Sequence, residues 1–445
     1  MDFLTAKNSQ GVVGVPTGAP RTPREVISYL RTTTAIRDRC QDLFNIVEAG
    51  KSDYFELDLS QLGKVADYVI EVMREEYPDL NVPFHSRWRH FEVSGISRIS
   101  RIDQIMAKAT PLQKAATKYD LAIVSVLLDA GAGEKWSYHE HDTGLILKRS
   151  EGLAVATLQM FIDGTFSSNP HQPLQVDASK LISLTLQELA RGFQATLENS
   201  SENPPKQPLQ NTSENLTENP LVGIDGRLKL LQKLGSALAA SPNLFGQDNP
   251  RPGNLVSYLQ NQVTNNQLEA TTVLQAVLEG FSSIWSGRLD LDGINLGDIW
   301  YHPAVIDDGL VPFHKLSQWL TYSLLEPLEE LGIKIIGLES LTGLPEYRNG
   351  GLFIDLGLIK PKYPEILQQS HSVASAVIVE WRALTVILLD IIATTIRTQL
   401  NMDSQQLPLV KILQGGTWTA GRKIAAKLRK NGIPPIDIES DGTVF

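Results

Sequence analysis

The chain has 445 residues, enough for one large domain or two to three ordinary ones. Apolar residues make up 42% and charged residues 20%, which supports a sizeable core. Forty basic against fifty acidic side chains give a net charge of −10, which repels a phosphate backbone and argues against nucleic-acid binding. A single cysteine, Cys40, excludes an intrachain disulfide and a cysteine-rich zinc site. It also fits a reducing compartment, so a cytoplasmic location is expected.

Residues 1–21 carry Gly11, Gly14, Pro16, Gly18 and Pro20 without helical periodicity and read as a flexible arm. Lys7, Arg21, Arg24 and Glu25 interrupt the apolar core that a signal peptide would need. Thr22-Pro23-Arg24-Glu25 combines an N-cap, a proline at the first helical position and an acidic first turn. Apolar spacing then predicts helix to about Glu48, closed by Gly50. Further helical patterns cover 62–77, 103–128, 178–197, 226–240, 255–284, 314–332 and 372–400. Strand candidates are few and short, Leu145–Lys148 and Lys334–Ile336. The stretch from Val373 to Ile396 is apolar enough to suggest a membrane span. Glu380, Arg382 and Asp390 inside it are costly in hydrocarbon, so it reads as a buried core helix and no membrane is expected.

Asn199 to Pro220 (NSSENPPKQPLQNTSENLTENP) has four prolines and almost no large apolar side chains. It cannot bury enough surface to offset its ordering entropy and reads as a flexible loop inserted in one helical domain over 22–445. Its Asn199, Asn211 and Asn215 begin N-x-Ser/Thr patterns, which without a secretory signal read as chance matches.

Four stretches concentrate chemistry-bearing side chains. In Val311–Tyr322, helical geometry puts Lys315, Gln318, Trp319 and Tyr322 within one face or its margin, with His314 just before. That face suits a small polar ligand, or equally an ordinary amphipathic helix with Trp319 in the core. In Leu341–Phe353, Pro345 and the Gly350-Gly351 pair suggest tight turns that aim Glu346, Arg348 and Asn349. Glu346 reads either as a base or electrostatic stabiliser, or as a surface partner of Arg348. In the late apolar helix, Glu380 and Arg382 need partners, because an unpaired buried ion costs on the order of several kcal/mol. A structural ion pair is the default there, and such a pair can also orient a catalytic group. Pro83–Phe91 packs Arg87, Trp88, Arg89 and His90 together, either as a pocket wall for ribose or phosphate or as a cation–π patch.

Two weaker signals remain. Asp129, in Leu128–Gly133, ends an apolar helix and either caps the turn or reaches a pocket. His139 and His141 would share a strand face, yet H-x-H without a third ligand is a weak metal signal, and no metal or cofactor is expected. No G-x-S-x-G, Walker or Rossmann fingerprint occurs.

HSRWRHF (85–91), LDAGAG (128–133), GLVPFHKLSQWLTYSLLEPLE (309–329) and LTGLPEYRNGGLF (341–353) resemble the uracil catabolism protein four family of fungi and bacteria. The resemblance runs from about residue 35 to the C-terminus. It implies a place in a pyrimidine breakdown route that passes through nucleoside-like forms to a ribosylurea-like intermediate and urea. A more distant resemblance links Phe313–Gln318, Leu344–Arg348 and Val379–Arg382 to queuosine nucleoside glycosylases, helical proteins of DNA-glycosylase-like fold that hydrolyse a ribosyl C–N bond. In that pattern the pocket is lined by a lysine, an acid before Tyr-Arg and an acid–x–Arg element, matched here by Lys315, Glu346 with Arg348, and Glu380 with Arg382. The glycosylases carry Asp where this chain has Glu346. Their late acid has no match in Leu413-Gln414-Gly415-Gly416-Thr417-Trp418.

Together these readings predict a mainly α, DNA-glycosylase-like fold that hydrolyses the ribose–nitrogen bond of ribosylurea or a close relative. Glu346 would stabilise the oxocarbenium-like state and activate water, with Lys315 or His314 assisting the leaving group. Trp319, Tyr322 and Trp418 would wall the pocket, and Arg348 and Arg382 would hold carboxylates or hydroxyls in place. Arg87 and Arg89 are the expected contacts for a 5′-phosphate. The alternatives are a non-catalytic binding or assembly protein of the same route and, on fold analogy alone, a nucleic-acid glycosylase.

Overall fold

The computed structural model describes residues 22–197, 218–285 and 288–439. The predicted arm, 1–21, and nearly all of the 199–220 loop lie outside them. The fold is mainly α. Helix α1 (Pro23–Leu30) opens on a reciprocal capping box: Thr22 Oγ1 accepts from Glu25 N, and Glu25 Oε2 accepts from Thr22 N. The predicted single helix to Glu48 is broken at Arg31–Thr32. There Thr32 Oγ1 accepts from Ala35 N at 3.1 Å and starts α2 (Thr33–Glu48), a second cap hidden in a run whose apolar spacing never falters.

Helix α3 (Leu62–Glu76) forms as predicted. The 103–128 pattern divides into a short helix and α4 (Pro111–Leu127), which a Thr110–Gln113 capping box starts. Helix α5 (Arg149–Ile162) carries no sequence signal of the expected kind, because every residue from Gly152 to Leu158 is buried and no polar face gives it a period. Helix α6 (Ile224–Ala240) follows. The 255–284 pattern resolves into a short helix, a strand over Gln267–Glu269 and α7 (Ala270–Phe281). The site-bearing helices are α8 (Lys315–Glu330), α9 (Tyr347–Asp355), α10 (Ala376–Leu400) and α11 (Trp418–Leu428).

Among the described residues the strands form only two-stranded pairs. The two predicted strands are among them: Leu145–Leu147 pairs antiparallel with Tyr138–Glu140, and Lys334–Ile336 pairs parallel with Gln267–Glu269. Asn219, at the edge of the predicted loop, ties it to neighbouring backbone through Ser137 N, Ser137 O and Gln194 O.

Helix α8 packs against α4 and α7, while α10 packs against α2, α3 and α9, and α9 against α11. One continuous apolar cluster runs through these contacts from Ile36 to Ile436. Helix α10 is buried along most of its length, and Asp390 on it meets Arg37 Nε at 2.8 Å. Among the described residues no helix is long and apolar enough to cross a membrane. Gly350 and Gly351 are not turn glycines but lie inside α9, where the Cβ of any larger residue would press on Trp381 and Thr385 of α10 or on Pro435.

Helices α9 and α11 approach so closely that a Cβ on Gly421 would overlap Arg348 O. Gly421→Ala is expected to lower the unfolding free energy in guanidinium chloride by about 1–3 kcal/mol, because neither backbone can yield. Gly63→Ala, in α3 with nothing within 4 Å, should instead be neutral or stabilising by up to about 1 kcal/mol.

Candidate active site

The residues that begin α8 are held from outside the helix. Asp298 O accepts from Phe313 N at 2.9 Å, and Asp298 Oδ2 accepts from Lys315 N at 2.9 Å. Its carboxylate therefore satisfies a first-turn N–H of α8 from a different segment, the task an N-cap side chain usually performs. The residue at the cap itself, His314, has a left-handed backbone (φ +48°) and its Nε2 lies 2.9 Å from Leu30 O. Arg382 grips Asp298 with two bonds of 2.8 Å, and Trp300 Nε1 donates to Oδ1 at 2.6 Å. Burial alone would raise the Asp298 carboxyl, but Arg382 and these donors hold it well below the usual carboxylate range.

Glu346 is the N-cap of α9. Its Oε1 accepts from Asn349 N at 2.6 Å and its Oε2 from Arg348 N at 2.7 Å. The carboxylate is thus aimed by two helix N-terminal amides, and the Arg348 guanidinium goes elsewhere, to Gly432 O at 3.2 Å and over the Tyr347 ring. Burial raises the Glu346 carboxyl, against the pull of those two amides and of Lys315. Burial likewise lowers the Lys315 ammonium, and the attraction of Glu346 opposes it.

Both side chains line a cavity of about 390 Å³. Helix α8 contributes Lys315 and Trp319, and the end of α4 leads into Asp129 through Gly133. The start of α5 supplies Arg149, Ser150 and Glu151, the cap of α9 supplies Glu346–Arg348, and α11 supplies Trp418 and Arg422. His85 and His90 close one side. Their rings lie 5.4 and 5.9 Å from Trp418 and 6.4 and 5.6 Å from Trp319, so four rings form a basket at that side of the cavity. Asp129 meets Arg87 Nη1 at 3.0 Å and accepts from Ser150 Oγ. Glu151 pairs with Arg422 at 2.9 Å. Arg422, by its charge and its hydrogen bond, leads the effects that outweigh burial and lower the Glu151 carboxyl. A second, much smaller cavity of about 40 Å³, lined by Arg31, Trp285, Asp298, His314 and Arg382, shares Asp129, Ala130 and Lys315 with the first.

Of the sequence-predicted residues, Glu346, Lys315, Trp319, Arg348, Trp418, His90 and Asp129 come together around the larger cavity. The others do not line it. His314 and Arg382 face the smaller cavity. Gln318 is fully buried with neither amide atom hydrogen-bonded, and Tyr322 donates its hydroxyl to Thr342 O at 3.0 Å. Asn349 braces the approach to Glu346 by donating to Leu344 O at 3.0 Å. Trp88 Nε1 donates to Ser323 O at 2.7 Å. Arg87 is completely buried and bonded to Ser125 Oγ and Asp129, so it orders the wall from behind, while Arg89 turns to Glu326 at 3.0 Å. Glu380 does not pair with Arg382 but accepts from Ser52 Oγ beside His302, and burial pushes its carboxyl up to about 7.

Sequence reasoning missed Asp298, Glu151, Arg422, Ser150 and Tyr347 as site residues. A buried arginine at 382 required a carboxylate, and that was the available signal for Asp298. Glu151 and Arg422 stand singly in the sequence and meet only through the fold. His139 and His141 lie 4.8 Å apart, and among the described residues no group of three or more His, Cys, Asp or Glu is placed to hold a metal.

Burial brings both cavity imidazoles down to about 4, for His85 against a hydrogen bond with Gln414 and for His90 with the repulsion of Arg87 added. They are neutral at physiological pH, and NMR titration of the ring protons should place both transitions near 4. An unfolded histidine titrates near 6.5, so the unfolded chain takes up protons first as pH falls. These two residues therefore withdraw stability between about 6.5 and 4.

Comparison with known proteins adds the lineage. The family described as "Protein of unknown function (DUF1688)" matches residues 29–445. "Uracil catabolism protein 4" of Lachancea kluyveri is 36% identical over 461 aligned positions, covering 94% of this chain and 99% of the relative. "Protein urg3" of Schizosaccharomyces pombe is 38% identical over 428, covering 95% and 99%. The queuosine glycosylase likeness rests on its three short motifs alone. A match over nearly the whole length, carrying with it every segment that lines the cavity, makes this chain a member of the DUF1688 family, with near-full-length similarity to a relative named for uracil catabolism.

Proposed function

We propose that the cavity is the active site of an N-ribosyl hydrolase of uracil breakdown, acting on ribosylurea or a close nucleoside-derived relative. Kinship with Uracil catabolism protein 4 supports the pathway. The observation that carries the chemistry is the Glu346 carboxylate, fixed by two α9 amides in a cavity it shares with Lys315.

Ribosyl C–N cleavage develops positive charge on the sugar, and a fixed carboxylate in a water-poor site stabilises that charge without reorganising. As the C1′–N bond breaks, its electron pair goes to the departing nitrogen, which takes a proton from Lys315. Water then attacks C1′ and loses a proton to Glu346, giving ribose and urea. Burial supports both roles. It raises a carboxyl that must accept a proton and lowers an ammonium that must give one up. The Arg87–Asp129–Ser150 and Glu151–Arg422 groups keep the polar wall in place for sugar hydroxyls.

Glu346→Gln should reduce urea release from ribosylurea by about 10²–10⁴-fold while the protein keeps its fold by circular dichroism. Turnover equal to wild type would remove Glu346 from the mechanism. Binding of ribosylurea with no turnover by wild-type protein would favour a ligand-binding role. The pH–rate profile should be a bell narrower than free side chains would give. Its acid limb lies above the ordinary 4.5 of a glutamate and its alkaline limb below the ordinary 10.5 of a lysine. The acid limb should disappear in Glu346→Gln.

A further inference from the structure

The ring basket contains hydrogen-bonding groups that the protein itself does not satisfy. Trp319 is 7% exposed and His90 6% exposed, and Trp319 Nε1 and His90 Nδ1 are buried without a hydrogen-bond partner. Buried polar atoms are almost always paired in a folded protein, so two on the rings that wall one cavity call for a specific explanation. His85 adds a defined acceptor. Gln414 Nε2 donates toward Tyr77 Oη at 3.4 Å, which orients Gln414 Oε1 to accept from His85 Nδ1–H at 2.8 Å and leaves His85 Nε2 as a lone-pair acceptor.

We infer that the basket of His85, His90, Trp319 and Trp418 is a subsite for a flat, uncharged amide or ureide group, which takes a hydrogen bond at its carbonyl from Trp319 and gives one from its N–H to His85. The inference rests on the cavity being the substrate site but not on hydrolysis occurring there. The rings, inclined at 33° to 79° to one another, give a planar group a face to stack on and edges to pack against, and the donor–acceptor set matches a –NH–CO–NH₂ unit. The charge state of the basket excludes close relatives of that shape. Both histidines are neutral at physiological pH, and the charges nearest the rings, Arg422 4.9 Å from the Trp418 centroid and Arg87 5.7 Å from the Trp319 centroid, are already matched by Glu151 and Asp129. A guanidinium would lose its water there beside two arginines whose carboxylates are already taken, and would find no free counter-charge. Trp319 lies one helical turn beyond Lys315 on α8, so a group in the basket has its ribose-bearing nitrogen toward the lysine end of the cavity.

The test measures binding rather than turnover. Calorimetric titration of the Glu346→Gln protein with ribosylurea gives the reference affinity, and N-methylurea and methylguanidinium are then used as competitors. Trp319→Phe in the same background keeps a ring but removes the N–H. It should weaken ribosylurea about 5- to 30-fold without changing the melting temperature. N-methylurea should displace ribosylurea and methylguanidinium should not. Unchanged affinity in Trp319→Phe, equal displacement by the two competitors, or no binding of either urea would overturn the inference. If Trp319→Phe does not fold, the two competitors decide the matter on Glu346→Gln alone. Trp319-dependent binding with no urea release by wild-type protein would leave the subsite standing and remove the hydrolase. Urea release by wild type with Trp319-independent binding would do the reverse.

Discussion

The arrangement depends on one buried ion pair. Arg382, in the second turn of the long core helix α10, grips Asp298 with two parallel bonds and also reaches Pro345 O at 3.4 Å. Asp298 in turn holds the first N–H of α8, and Pro345 is the residue before Glu346. A single guanidinium thus ties together the start of the helix that carries Lys315 and the turn that carries Glu346. Removing one partner of such a pair leaves a charge buried without compensation, typically a loss of about 3–5 kcal/mol. In this fold it would also release both ends of the candidate catalytic pair. Arg382 therefore acts on the site through the backbone it positions, from a place beside the smaller cavity.

The cavity shows how burial can tune several groups in different directions at once. Desolvation raises Glu346, lowers Lys315 and keeps His85 and His90 neutral. Where a matched partner is present, as for Glu151 beside Arg422 or Asp298 beside Arg382, the same desolvation is outweighed and the carboxylate stays ionised. The result is that Glu346 and Lys315 line the same space as the charge-matched Asp129 and Glu151–Arg422 groups, next to a wall of uncharged rings. This separation of a polar, charge-matched side from an aromatic, neutral one suits a substrate that is part sugar and part planar amide.

Much of this was legible in the sequence, for physical reasons that also explain the gaps. Lys315 and Trp319 are four residues apart and share a face, as helical geometry requires. Gln318, at an offset of three, turns about 60° to the other side and enters the core, while Tyr322, at seven, keeps the direction but lies two turns further along the helix, buried past the cavity. Glu346 is visible as an acid aimed by its backbone, but the glycines after it look like turn glycines, because the tight contacts that need them come from α10 and Pro435. Arg87 had the composition of a phosphate contact. Its partner Asp129 sits on another segment, and the two satisfy each other behind the wall. Asp298 and Arg382 are 84 residues apart, and nothing local to either announces the other. Helix α5 escaped because a helix buried on all sides has no polar stripe to reveal its period.

The claim that most needs direct examination is the identity of the bond that breaks. Ribosylurea labelled with ¹⁵N at both ureido nitrogens, incubated with the wild-type protein and followed by NMR and mass spectrometry, distinguishes the cases in one sample. Cleavage at the ribose–nitrogen bond predicts free ribose and intact, doubly labelled urea in equal amounts, with no labelled ammonia. Labelled ammonia in place of urea would mean that the ureide itself is cut, and unchanged ribosylurea would mean that the protein does not hydrolyse it. Either result would contradict ribosyl hydrolysis by Glu346 and Lys315.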